Sequence, residues 1–186
     1  MESEAINIDK YLGCDEDKKF DFLFDNYSIL KPIIKDYRED LISDVVDMKA
    51  SNRRRENGEL GVMIQVSIKP GGPTERQATA ELMVEKAIDE GYLDDTFFEG
   101  TDDQEELIRR VTLYHTVSAD YETFRIKLNT LTPEDQQVLK PYLLRQKTMD
   151  QIAKEMGIEY RSAVMRIYRI RKRLCEKVSP RLRKGA

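Results

Sequence analysis

Residues 148–178, TMDQIAKEMGIEYRSAVMRIYRIRKRLCEKV, decide how this chain folds. They open with T-x-x-Q, Thr148 to Gln151, in which the threonine hydroxyl and the glutamine amide can each satisfy a backbone N–H left open at a helix start. Ile152, Ala153 and Met156 give a first helix, 149–156, its inward face. Gly157 follows where a left-handed residue can end that helix. Ile158 is placed as an apolar staple, and Glu159 stands where it can cap a second helix, 160–178. In the second helix Ala163, Ile167, Ile170 and Leu174 recur at helical spacing and mark one buried stripe. The free side carries Arg161, Ser162, Met165, Arg166, Arg169 and Lys172. Two helices joined by a short glycine turn, the second basic on its free face, form a helix-turn-helix. Ala153 and Gly157 are both small, which is expected to let the two backbones approach closely. The competing reading is an ordinary helical hairpin with a solvated basic face. It requires the glycine turn, the small residue and the charge asymmetry to coincide by chance.

Charge sharpens the contrast between this segment and the rest. From Arg161 onward ten Lys or Arg stand against one acid, Glu176, so the last 26 residues sum to +9. The whole chain of 186 residues is −4, which leaves −13 on residues 1–160. That polarity implies an acidic body presenting a basic helix to a polyanion. Apolar residues at 40% and charged residues at 35% fit a helix-rich protein of one or two small domains with a real core. No run approaches the length of a membrane span, so no membrane partner is expected. The start, MESEAINIDK, lacks the basic-then-apolar layout of a signal peptide, and the expected location is cytoplasmic. Cys14 and Cys175 lie far apart without metal-ligand spacing and read as reduced thiols. With one histidine, His115, no Gly-rich phosphate loop and no paired-cysteine site, an enzyme is the class least expected and no cofactor is implied. The acid pairs Asp94-Asp95 and Asp102-Asp103 read as favourable charge beside a helix start rather than as a cation site.

The rest of the chain reads as further helices, so the fold class is all-α. Leu30, Ile33, Ile34, Tyr37, Leu41, Val45 and Met48 step by three and four, one face of a helix of about twenty residues with Pro32 in its first turn. The pattern stops in ASNRRRENGELG, Ala50–Gly61, a polar stretch with the basic triplet Arg53, Arg54 and Arg55. Met63 to Lys69 alternates like a strand but has no partner strand and reads as an extended connector. Pro70-Gly-Gly-Pro73 then forces a break. Thr74-Glu-Arg-Gln77 and Thr101-Asp-Asp-Gln104 repeat the T-x-x-Q start, and Thr132-Pro-Glu-Asp135 puts proline at a first helical position. These signals predict helices over 75–90 (ended by Gly91), 102–129 and 133–146. Within 102–129, Leu107, Tyr114, Tyr121 and Leu128 recur every seven residues, with Val117, Phe124 and Leu131 on a second track that Arg110 interrupts. That seam suits packing against the 30–48 helix within one chain, or a homodimer interface. The implied segments are an N-terminal region, 1–70; a helical body open to dimerisation, 71–130; and a DNA-binding domain, 131–186.

Leu131–Leu174, LTPEDQQVLKPYLLRQKTMDQIAKEMGIEYRSAVMRIYRIRKRL, resembles the fourth region of bacterial sigma factors and the related sigma-like regulators. Ile152-Ala153, Met156-Gly157-Ile158 and the run Arg169-Ile-Arg-Lys-Arg-Leu174 match that pattern in order, over about a quarter of the chain. Pro141 departs from it by falling inside the first helix of the module, where it should kink or shorten it. Tyr160 and Arg161 depart from it at the start of the recognition helix, so no base preference transfers. Gly71–Leu82, GGPTERQATAEL, followed by a long helix and this module, is similar to phage late-gene transcription regulators of the RinA and ArpU type.

The resemblance implies a sequence-specific transcription regulator acting in a bacterial cell, of phage or prophage type, whose helix 160–178 enters the major groove of double-stranded DNA. Arg161 and Arg166 are then the candidates for bidentate contact with guanine. Tyr160 and Ser162 could reach bases or phosphates, and Met165 a thymine methyl. Arg169, Lys172 and Arg173, further along, read as phosphate contacts. Lys147 and Thr148 could hold a phosphate at the preceding helix start. Arg53 to Arg55 read as a solvated loop, with a second DNA contact as the alternative. One such module neutralises few phosphates, which implies a homodimer or RNA polymerase as a second partner. Two other functions fit the same residues: a phage terminase small subunit recognising packaging DNA, and a polymerase-binding module that does not read DNA.

Overall fold

Helices form wherever apolar residues recur at helical spacing. In a computed structural model, residues 8–58, 73–91 and 104–183 are described. The α-helices are α1 (Glu16–Gly58), α2 (Pro73–Glu90), α3 (Gln104–Asn129), α4 (Pro133–Leu143), α5 (Met149–Glu155) and α6 (Tyr160–Val178). Short 3-10 helices lie at Ile8–Gly13 and Ser179–Arg181. Among the described residues there is no strand, and the fold is all-α. No described helix is long and apolar enough to cross a membrane. The strand-like Met63–Lys69, the starts at Thr101 and Asp102, and the acid pairs at 94–95 and 102–103 lie outside the described residues.

α1 corrects the sequence reading at both ends. It has 43 residues rather than about twenty, and Pro32 sits in its interior rather than its first turn. Its start is fixed by Asp15, whose carboxylate accepts the Lys18 N–H at 2.8 Å. The apolar row continues backward from Leu30 through Phe24, Leu23 and Phe20, all buried, which holds the helix on the far side of the proline. Residues 50–58, expected as loop, continue the helix to Gly58. They contain no proline and no β-branched side chain to oppose it. Thr74, expected as a cap, lies within α2, whose first residue is Pro73.

The chain divides into two compact units, Met1–Ile34 with Thr116–Ala186, and Lys35–His115. The long helices α1 and α3 each contribute residues to both units. In the second unit Leu41 and Val45 of α1, Val84 and Ile88 of α2, and Leu107 and Val111 of α3 share one core. Arg38 bridges Glu85 and Asp89 beside it, at 2.7 and 2.6 Å. The hydrogen bond and charge of Arg38 hold the Asp89 carboxyl below the ordinary carboxylate range. Arg110, the break in the heptad, pairs with Asp44 at 2.7 Å. α2 ends at Gly91, whose φ of +66 favours glycine and whose missing side chain leaves room for the His115 ring. His115 Nε2 lies 2.6 Å from the Ile88 carbonyl, one of those left open at that helix end.

The first unit is built on aromatics. Phe124 of α3 meets Phe20, Phe24 and Tyr27 of α1, and Phe24 also meets Tyr142 of α4. Val117, Tyr121, Phe124, Leu128 and Leu131 are all buried in this unit, as Leu107 is in the core of the second, so these seam positions are covered within the chain. A buried polar knot fastens the segment after α6. Asp120 accepts the Tyr11 hydroxyl and the Arg183 N–H, both at 3.0 Å. The fully buried Lys19 donates to the Arg183 carbonyl at 2.7 Å and lies over the Tyr11 ring. Burial pushes the Asp120 carboxyl above its ordinary range, against the hydrogen bonds that favour its charged form.

Candidate functional site

α4, α5 and α6 form the predicted three-helix arrangement in the first unit. α4 starts as expected: Thr132 accepts the Asp135 N–H and Pro133 occupies the first turn. It ends at Leu143 rather than 146. Pro141 has no N–H to give, and its carbonyl instead accepts the N–H groups of Gln146 and Lys147, with Arg145 left-handed at φ 55. α5 begins with a complete capping box, Thr148 N–H to Gln151 Oε1 at 2.8 Å and Gln151 N–H to Thr148 Oγ1 at 3.4 Å.

The turn from α5 to α6 satisfies its own backbone. The Gly157 N–H donates to the Lys154 carbonyl and the Ile158 N–H to the Ala153 carbonyl, the paired bonds of a glycine C-cap. Gly157 has φ +62, but a Cβ there would meet nothing within 4 Å. The glycine is thus required by backbone conformation, and the close approach expected of it is absent. Glu159 occupies the N-cap position of α6 without a side-chain capping bond, contrary to its expected role.

α6 buries Ala163, Ile167, Ile170, Leu174 and Val178, the predicted stripe extended by one turn. Its basic residues, alike in the sequence, fall into two groups. Arg171 pairs with Asp21 of α1 at 2.6 Å and lies over the Phe24 ring. Arg173 donates to the buried Asp135 of α4 at 2.7 Å. Arg166 flanks a groove opposite Glu134, 3.8 Å from its carboxylate, so an acid partly offsets its charge. Arg161, Arg169 and Lys172 are exposed and have no ion pair among the described residues.

Of the ten candidate residues, the structure brings Tyr160, Arg161, Ser162, Met165, Arg169 and Lys172 onto the exposed side of one helix. Arg166 lies at the edge of that side, and Arg173 is tied to α4. Lys147 and Thr148 stand apart on the α5 start: the Lys147 ammonium is held by Glu155 and the Thr148 hydroxyl by the capping box. Arg53, Arg54 and Arg55 lie on the last turns of α1 rather than in a loop.

Sequence reasoning missed two exposed side chains on α6, Val164 and Tyr168. With Tyr160 they form a row at every fourth residue, which the sequence displays but which a search for charge passes over. Among the described residues no cluster of His, Cys, Asp and Glu could hold a metal ion. Comparison of the chain with protein-family models, curated proteins and solved structures returned no match.

Proposed function

We propose that this chain is a sequence-specific DNA-binding transcription regulator of phage or prophage type, acting in the bacterial cytoplasm, which sets α6 in the major groove. The observation that supports this reading is the cationic face of α6, where Arg161, Arg169 and Lys172 have no ion pair among the described residues, on a helix held from behind by a glycine-turned partner. A face that only decorated the surface of an acidic protein would be open to pairing with the nearby acids, as Arg171 and Arg173 are. Arg161 and Met165, on the first turns, address base edges; Arg169 and Lys172 address phosphates. So few phosphate contacts give weak binding by one copy, and a second copy on a two-fold site or RNA polymerase supplies the remainder.

Gel retardation across a salt series tests the reading. The logarithm of affinity is expected to fall with the logarithm of salt at a slope of roughly −2 per bound chain, one for each of Arg169 and Lys172. Lys172→Ala should flatten that slope by about one and weaken all sequences alike. Absence of retardation at low salt by the folded protein refutes the proposal.

A further inference from the structure

The exposed side of α6 is not uniformly cationic. Tyr160, Val164 and Tyr168 are 55%, 36% and 57% exposed, and Met165 beside them is 44% exposed. Exposed large hydrophobics are few among the described residues, and four of the nine fall on this one 19-residue helix. Successive members of the Tyr160–Val164–Tyr168 row lie one turn apart, and the row runs alongside a second one, Arg161–Met165–Arg169. An apolar row left in water beside Arg161 and Arg169, which have no ion pair among the described residues, calls for an occupant that is anionic and yet offers small apolar groups at regular intervals. Duplex DNA has that chemistry in its major groove, where phosphates flank the bases and each thymine presents a 5-methyl group.

We infer that the Tyr160–Val164–Tyr168 row, with Met165, is a thymine-methyl reader, so that the target sequence includes thymines beside the base pairs addressed by Arg161. This rests on the proposed DNA-reading role of α6 and adds its base preference. The division of labour follows from the side chains. Val164 and Met165 end in carbons and cannot recognise a donor or acceptor, so they discriminate thymine only through the methyl. The two tyrosines widen the apolar row at either end and keep a hydroxyl for a phosphate or a base edge.

Thymine-to-uracil replacement isolates the inference, because it deletes the methyl and leaves every hydrogen-bonding edge intact. Duplexes chosen by the protein from random sequence would be resynthesised with uracil at each thymine in turn, and affinities compared by gel retardation. At one or more positions the loss should be roughly fourfold per methyl buried. In Val164→Ala/Met165→Ala, whose positions are exposed and whose folding is checked by circular dichroism, the uracil penalty should shrink below twofold. A wild-type protein that selects a sequence but is indifferent to uracil everywhere overturns the inference and leaves the DNA-reading role standing. So does a selected site without thymine, or a double variant with the full uracil penalty. Failure to select any sequence overturns both.

Discussion

Arg171, Lys172 and Arg173 are three adjacent cations that mutation should separate cleanly. Arg171→Ala removes an ion pair to Asp21 at 2.6 Å and a guanidinium lying 5.0 Å from the centre of the Phe24 ring. Asp21 is half exposed, so the pair is screened and contributes a few tenths of a kcal/mol, with about 0.5–1 kcal/mol more from the ring contact. Arg173→Ala costs more, because Asp135 is only 10% exposed and loses the hydrogen bond that satisfies it. The Arg173 head is half in water, which moderates the loss to about 1–2 kcal/mol. Lys172→Ala removes no hydrogen bond or ion pair among the described residues and should change stability by less than about 0.5 kcal/mol. DNA affinity should show the reverse order: Lys172→Ala lowers it several-fold, while Arg171→Ala, once the protein is folded, changes it little. Urea unfolding and gel retardation on the same three proteins supply both columns. Equal stability losses at all three positions, or an affinity loss confined to Arg171, would refute the assignment of these residues to structure and to DNA.

Three further outcomes follow from the same geometry. Gly157→Ala should cost about 1 kcal/mol by urea unfolding, the penalty of a left-handed alanine without a clash, and Gly157→Asn less; a loss above about 3 kcal/mol would mean that space was the constraint after all. Arg145 is left-handed without being glycine, so Arg145→Gly should be more stable than Arg145→Ala by about 1 kcal/mol, both variants having lost the guanidinium's 3.4 Å bond to the Asp25 carbonyl; a glycine variant no more stable than the alanine one contradicts the C-cap described for α4. Asp120 has a folded pKa raised by burial above its unfolded value of about 3.9. Its contribution is therefore full below that unfolded value and is lost as pH rises through the folded one. The stability of the wild type relative to Asp120→Asn should fall across that rise, and a difference that is flat or increases with pH contradicts the buried knot.

Much of the fold was legible because periodicity reports burial directly. The stripe from Ala163 to Leu174, the capping box at Thr148 and the glycine C-cap at Gly157 are local signals, and each appears where its residues put it. The first half of α1 was not legible, because Pro32 and the isolated polar residues between Phe20 and Leu30 mask a row held by α3 and α4, partners distant in sequence. The same limit applies to the site. Charge marked α6 as the basic element, but whether a given arginine is free depends on Asp21 and Asp135, which no helical periodicity brings to mind. The apolar row of α6 lay in plain view, yet its exposure follows only from knowing which side the body covers.

The central claim is that the exposed side of α6 chooses sequence. Selection from random duplex DNA, run in parallel with the wild type and with Arg161→Ala/Met165→Ala, tests it most directly. The wild type should enrich one motif, and the double variant should lose discrimination at the one or two base pairs that these side chains address, by roughly five- to a hundred-fold. Its folding and its salt-dependent affinity for unselected DNA should be largely retained. Enrichment of the identical motif by both proteins would contradict the account, since sequence choice would then reside elsewhere than on α6.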